Sequence, residues 1–243
     1  RRDGDWIDHD AHYRRTDEYM GGMKRVWTEI TPFDHDGEFY RFEQNLSEVR
    51  TFQKPHVPLY FGGASDVAKE VGAKRADVYA LWGEPLASIK EQIADIRARA
   101  ANYGRTIKFS VSVRPILGDT EGEAWERAQG ILERVKSSVG DTIGPGKPAR
   151  LQSEGSRRLL NFASQGDIHD KRLWMPIAAT TGAAGNTTAL VGTAEQVSES
   201  LLAYHQAGAD AFIIRGFDPM QDTIDWGKEL IPMVRHGAAA LAK

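Results

Sequence analysis

The sequence predicts an α/β fold in which parallel strands alternate with helices. Continuous apolar runs such as DVYALW (77–82) and KFSVSVRPIL (108–117) are typical of strands that are buried on both faces of a sheet. Segments with apolar residues at helical spacing lie between such runs. The turn AGAD, which leads into the last run, is as short as an ordinary helix-to-strand connection. We therefore expect parallel strand pairs that are joined by right-handed crossovers.

The N-terminal elements follow from spacing and capping. A helix is predicted over residues 16–29, where apolar residues recur at spacings of three and four before a Thr-Pro pair. Residues 31–57 alternate aromatic and charged side chains around an Asp-Gly pair, which favours a hairpin or an irregular excursion. The run VPLYF (57–61) predicts a strand, and residues 65–75 predict a helix behind a Ser or Asp cap.

The central elements repeat the same order. The strand at 77–82 is followed by a helix over 85–103 that begins at a proline, a residue favoured in the first helical turn. The strand at 108–117 is followed by a helix over 120–138, whose first residues TEGE have the pattern of a capping box.

The C-terminal part contains the least regular segment. Residues 139–192 offer turns and little periodicity apart from a short helix near 157–162. A helix over 193–206 that ends at a glycine, a strand over 210–216 and a last helix from about 220 to beyond 234 follow. Four strands of the repeating type are too few for a closed barrel of eight, so the residues leave two architectures, an open sheet or the back half of a barrel.

Composition excludes several classes of site and partner. The 243 residues carry a net charge of −3, which gives no reason to expect a nucleic acid or an anionic membrane as partner. The absence of cysteine excludes disulfides, thiolate metal sites and cysteine nucleophiles. No apolar run approaches the roughly 18 residues of a membrane helix, and no signal peptide is seen, so we expect a cytoplasmic protein. The first residues RRDG, without a Met, suggest that a further segment precedes them.

Four segments resemble a known family. PLYFGGASD, DVYALWGEP, TTGAAGNTTALVG and FIIRGFDPMQDTIDWGKELIP are similar to the bacterial luciferase-like flavin monooxygenases, in the branch of alkanesulfonate monooxygenase. The resemblance implies a TIM (β/α)8 barrel. Residues 1–243 would form a single domain that corresponds to the C-terminal half of this barrel, with strands five to eight. Residues 139–192 would be an irregular insertion or lid. The resemblance also implies reduced FMN as cofactor, supplied by a separate flavin reductase. The unpaired strand edges of a half barrel predict a homo-oligomer, either a dimer or a tetramer.

The stretch GGASD contains the expected phosphate site. Here a strand runs through glycines into a helix N-terminus, so that backbone amides and the positive end of the helix dipole meet, and Ser65 adds a hydroxyl donor. The resemblance implies that Gly63, Ala64 and Ser65 bind the FMN phosphate and that Tyr13 lies near the phosphate and ribityl chain. The alternative is a tight turn in which Ser65 only caps the helix.

Three further residues are predicted to form the substrate pocket. Trp82, at the end of a strand, forms either a wall of the pocket or a hydrophobic plug of the barrel end. Arg114 lies in an apolar strand, where a charge is costly unless an anion or a carboxylate accompanies it. Arg215 ends another strand and either binds a ligand or pairs with Asp218. The family's sulfonate enzymes have a somewhat different set of cationic residues at these strands. They also have an arginine in the loop that matches residues 180–188, whereas this loop contains no arginine here.

No metal site is predicted. HDAH (9–12) and DHD (34–36) have ligand-type side chains but no recognised metal spacing, and we expect both to lie in polar surface turns. The glycine-rich GAAGNTT lacks the lysine of a P-loop, so a flexible lid is the better interpretation.

The expected activity is a flavin-dependent monooxygenation. Reduced FMN and O₂ would oxidise a small organic molecule, with a sulfonate or another organosulfur compound as the first candidate because two arginines would neutralise an anion. The alternatives are a deazaflavin-dependent oxidoreductase on the same barrel and a non-catalytic flavin-binding protein.

Overall fold

The computed structural model describes residues 6–139, 153–185 and 187–241. Contacts between Cα atoms divide the chain into two compact units, one of Arg1–Tyr79 and Asp95–Ile107, the other of Ala80–Ala94 and Lys108–Lys243. Strand β4 (Val78–Trp82) and helix α3 (Leu86–Asn102) contribute residues to both units. The predicted α/β class is confirmed by the alternating order of strands and helices.

The first unit begins with a long helix and a hairpin. Helix α1 (His9–Thr28) starts seven residues before its predicted start, because the Asp8 side chain accepts a hydrogen bond from the Ala11 amide and caps it. Strands β1 (Phe33–Asp36) and β2 (Arg41–Asn45) then pair antiparallel, as the Asp-Gly pair predicts.

A parallel strand pair and two helices complete this unit. Strand β3 is confined to Tyr60–Phe61, shorter than predicted, since Pro58 has no amide hydrogen for a ladder. It pairs parallel with the start of β4, Tyr60 opposite Val78 and Phe61 opposite Tyr79. Helix α2 (Asp66–Arg75) buries Ala68, Val71, Gly72 and Ala73 on one face.

The second unit is organised around a long central strand. Strand β5 (Lys108–Leu117) has the predicted bounds and is neighbour to β4, and the Gly83 amide after β4 donates to the Ser112 carbonyl at 2.9 Å. Its first half pairs parallel with β9 (Ala211–Ile214) and its second half with β8 (Ala189–Gly192). The short strands β7 (Leu173–Trp174) and β6 (Ile168–His169) extend the sheet antiparallel beyond β8.

The second unit also contains several helical segments. They are α4 (Glu121–Val139), α5 (Glu154–Gln165), α6 (Pro176–Thr180), α7 (Ala194–Gln206), α8 (Pro219–Asp225), a π-helical segment (Trp226–Leu230) and α9 (Ile231–Leu241). The predicted capping box is present at Thr120 with Glu123, and a second one, which was not predicted, is formed by Thr193 with Gln196. A core cluster fills the space between α4, α6 and the sheet: Ile116, Ala124, Ala128, Ile131, Leu132, Trp174, Ile177, Ala189 and Val191.

The segment predicted as irregular, 139–192, is more regular than expected. Its described residues form α5, β6, β7, α6 and β8, and part of the prediction lies outside the described residues, at 140–152 and 186. The short elements escape the sequence pattern because strands of two residues carry no periodicity. None of the helices in the described ranges is both long and apolar enough to cross a membrane.

Candidate functional site

The first unit contains a notch, which we define as the backbone of residues 62–65 and the first turn of α2. The chain leaves β3 at Phe61, passes Gly62 and Gly63, and enters α2 at Ser65, the N-cap, whose side chain accepts a hydrogen bond from the Ala68 amide. The first amides of an α-helix have no partner within the helix, and the helix dipole adds partial positive charge there. The notch therefore presents hydrogen-bond donors to an anion.

Gly63 is required by close packing rather than by an unusual backbone angle. A Cβ atom at this position would lie 2.6 Å from the Cβ of Ala68 and 3.4 Å from the Tyr13 hydroxyl oxygen. The Tyr13 ring packs edge-on against Phe61, with ring centroids 6.3 Å apart. The structure thus brings Tyr13 to the notch.

A residue that the sequence did not single out holds the notch in shape. The side chain of Tyr79 is fully buried, and its hydroxyl donates to the carbonyl of Gly63 at 2.8 Å. In a trans peptide the carbonyl and the next amide point in opposite directions, so fixing the Gly63 carbonyl inward turns the Ala64 amide away from the core. That amide has no hydrogen-bond partner among the described residues.

The acidic residue next to the notch shares an arginine with two further carboxylates, those of Glu70 and Asp95. The carboxylate of Asp66, the first residue of α2, forms an ion pair with Arg99 at 2.5 Å. Hydrogen bonds from the guanidinium to Asp95 and to Asp66 raise the pKa of Arg99, which is charged throughout. The amide donors of the notch are of the kind that binds the phosphate of a flavin nucleotide.

In the second unit, Trp82 lies at the end of β4 in a close-packed setting. A Cβ on the next residue, Gly83, would be 2.6 Å from a methyl of Val113 and 2.7 Å from the Thr188 hydroxyl. A Cβ on Gly155, in the first turn of α5, would be 3.0 Å from the Trp82 ring. The indole, partly exposed, therefore has one side covered by backbone and is held in place.

A buried carboxylate that the sequence did not single out connects α5 to the end of β4. The side chain of Glu84 is 4% exposed and accepts two hydrogen bonds from Arg158, at 3.0 and 2.7 Å. Ser88 and Gln92 donate to the same carboxylate at 2.6 and 2.9 Å. The hydrogen bond to Glu84 raises the pKa of Arg158. This satisfied network positions α5 beside Trp82.

Arg114, in the second half of β5, lies near Arg215, which directly follows β9. The half-buried Arg114 donates to the Gly216 carbonyl at 3.1 Å, and its guanidinium lies 4.9 Å from the centre of the Phe217 ring. Burial first, and repulsion by the nearby Arg215 second, lower the pKa of Arg114. Two like charges this close are stabilised when an anion joins them.

The alternative role of Arg215, a structural salt bridge with Asp218, is not observed. The Asp218 side chain instead caps α8 and accepts a hydrogen bond from the Gln221 amide at 3.3 Å. Within the described ranges, the exposed guanidinium of Arg215 forms neither a hydrogen bond nor an ion pair. It is available to a ligand.

The ligand-type clusters do not form a metal site. Among residues 6–139, 153–185 and 187–241, no group of three or more acidic, histidine or cysteine side chains could hold an ion. The expectation that HDAH and DHD lie in polar turns is wrong, since the first forms the start of α1 and the second lies on β1. His35 is held by Glu18 at 2.8 Å.

Comparison with known proteins gives one family model, described as luciferase-like monooxygenase, which matches residues 1–211. Among solved structures, riboflavin lyase RcaE with modified FMN and riboflavin gives a TM-score of 0.73 at 21% identity, covering 96% of this chain and 59% of the other. EDTA monooxygenase EmoA from Chelativorans sp. BNC1 gives 0.72 at 17%, covering 95% and 61%. An F420-dependent secondary alcohol dehydrogenase gives 0.63 at 16%, covering 95% and 64%. The chain thus spans about three fifths of the proteins it matches, and at these identities the likeness is one of fold.

Proposed function

Because the chain belongs to the luciferase-like monooxygenase family, we propose that it binds reduced FMN and uses O₂ to oxidise a small organic anion. The observation that carries this proposal is the notch, whose backbone amides can donate hydrogen bonds to a phosphate. The close packing of the notch requires glycine at residue 63. A sulfonate or another organosulfur compound is the first candidate substrate.

Several finer features belong to the same proposal. The family resemblance and the three-fifths coverage support a TIM barrel of which this chain forms the C-terminal half, with β3, β4, β5 and β9 as strands five to eight. We also propose one domain over residues 1–243, with 139–192 as an insertion. The proposal also includes a separate reductase as the source of reduced FMN, a homodimer or homotetramer, and a cytoplasmic location.

The residues of the chain have binding and positioning roles. When bound, reduced FMN supplies two electrons, and O₂ supplies one oxygen atom to the substrate and one to water. Ala64, Ser65 and the first turn of α2 would hold the phosphate, with Tyr13 beside it. Trp82 would form a wall that excludes water from the reacting atoms.

The two arginines would bind the anionic group of the substrate. A guanidinium donates to a sulfonate or carboxylate in a planar, two-point geometry, and the half-buried setting of Arg114 strengthens the attraction. Its contact with the Phe217 ring would hold the guanidinium in place for this role.

Oxygen uptake with chemically reduced FMN tests the proposal. We expect added 1-octanesulfonate to yield oxygenated product, detected by mass spectrometry, and Arg114→Gln to lower that yield at least tenfold. Lys108→Gln, at the opposite end of the same strand, is the matched control and should leave the yield unchanged. Saturable FMN binding without product from any anion of a sulfonate panel would instead favour a non-catalytic flavin-binding protein.

A second candidate is hydride transfer with a deazaflavin cofactor. The structural likeness to an F420-dependent alcohol dehydrogenase favours it. Parallel fluorescence titrations with FMN and with F420 separate the two, because tight saturation by F420 alone would replace the monooxygenase proposal.

A further inference from the structure

The carboxylate of Asp222, in α8, organises the segment that follows β9. Asp222 is 1% exposed, and one of its oxygens accepts from the amides of Phe217 and Asp218 at 2.8 and 2.9 Å. The other oxygen accepts from Arg127. A Cβ on Gly216 would lie 2.2 Å from the first oxygen, so this close approach excludes any side chain there.

The same segment supplies two contacts of the Arg114 guanidinium. The Gly216 carbonyl accepts from Arg114, and the Phe217 ring lies beneath it. Arg127 also donates to the carbonyl of Leu117, the last residue of β5, at 3.1 Å. The carboxylate of Asp222 is therefore connected to the end of the strand that carries Arg114 and to the loop on which Arg114 rests.

We infer that Asp222 is a positioning residue of the anion site, which holds residues 216–218 so that the Arg114 guanidinium is oriented before a ligand arrives. The inference rests on the proposed function, in which Arg114 binds the anionic group of the substrate. An arginine side chain has many rotamers, and fixing them in advance improves affinity without a new contact to the ligand.

Calorimetric titration with 1-octanesulfonate in two backgrounds tests the inference. Asp222→Asn keeps the shape of the side chain but places an amide group where two acceptor oxygens are needed. We expect it to weaken sulfonate binding about tenfold in the wild-type background and less than twofold in Arg114→Gln, because it acts through Arg114. Asp210→Asn is the matched control: that carboxylate accepts from the Phe109 amide at 2.8 Å, at the opposite end of the β5 and β9 pair, and its loss should leave the affinity unchanged.

The outcomes separate the inference from the proposed function. Equal weakening by Asp222→Asn in both backgrounds would show a general structural role and overturn the inference while leaving the anion site intact. Failure of the wild-type chain to bind the sulfonate would overturn the site itself. If Asp222→Asn does not fold, Arg127→Gln replaces it. This change leaves in place both hydrogen bonds from backbone amides to Asp222. We expect it to weaken sulfonate binding about threefold in the wild-type background and to have no effect in Arg114→Gln.

Discussion

The hydroxyl of Tyr79 has one described partner, the Gly63 carbonyl, which makes its role separable from that of the ring. Burial raises the pKa of Tyr79, so the hydroxyl keeps its proton over the working range of the protein. We expect Tyr79→Phe to lower the free energy of unfolding by about 1 kcal/mol, the contribution of one hydrogen bond. It should also weaken FMN binding about threefold and leave riboflavin binding unchanged. The reason is that only the phosphate of FMN would contact the Ala64 amide, whose orientation the variant no longer fixes.

A matched control exists for this tyrosine. Tyr204 is equally buried, and its hydroxyl donates to the Glu84 carbonyl at 2.8 Å. Tyr204→Phe should show the same loss in a urea unfolding curve and no change in the ratio of FMN to riboflavin affinity. Equal ratios in the two variants would contradict the role of Tyr79 at the notch.

At the scale of elements, replacing either of two helical glycines by alanine should change stability, in opposite directions. A Cβ on Gly72 in α2 would lie 2.2 Å from the Tyr79 ring and 2.8 Å from the Phe61 ring, whereas the nearest atom to a Cβ on Gly130 in α4 is the end of Arg134, at 3.7 Å. Gly72→Ala should therefore destabilise by about 1 to 3 kcal/mol through overpacking. Gly130→Ala should stabilise by up to about 1 kcal/mol through helix propensity. Urea unfolding at pH 7 measures both, and stabilisation by Gly72→Ala would refute the tight packing of α2.

The carboxylate of Glu121 connects three parts of the second unit and predicts an acid dependence. It accepts from Arg172, from Gln196 in α7 and from Trp125 in its own helix, and these bonds, the one from Arg172 first, lower the pKa of Glu121 from 4.5 to about 2. A folded-state pKa below the unfolded one stabilises the protein above pH 4.5, and this contribution is lost as the pH falls towards 2. We expect Glu121→Gln to be less stable than wild type at pH 6, with a difference that shrinks by pH 3.

The control for this pH series is Glu126→Gln, which removes one charge from the same helix at an exposed side chain. A difference between wild type and Glu121→Gln that stays constant from pH 6 to pH 3 would show that the ion pair with Arg172 does not form in solution.

At the scale of the whole molecule, local sequence patterns gave the order of the main elements but not their distant contacts. The bounds of β5 and the caps of α2 and α4 follow from neighbours in sequence, and they are confirmed, as are the family and the α/β class. The chain carries no local mark for the bond between Glu84 and Arg158, 74 residues apart, or for that between Arg127 and Asp222, 95 residues apart. The roles of Tyr13, Gly63, Ala64, Ser65, Trp82, Arg114 and Arg215 stay predictions.

The net charge makes a final prediction about cofactor preference. With a net charge of −3, the molecule as a whole repels the FMN phosphate weakly, so any preference for FMN over riboflavin must arise locally.

A ligand at 100 times its dissociation constant stabilises the native state by about 2.7 kcal/mol, which for a chain of this size raises the unfolding midpoint by roughly 5 to 10 °C. We expect such a rise with FMN and a markedly smaller one with riboflavin at the same concentration. In Gly63→Ala the two rises should become equal, because the added Cβ, 2.6 Å from that of Ala68, forces the backbone amides of the notch to move. A wild-type chain that responds equally to both flavins would show that the phosphate binds elsewhere or not at all.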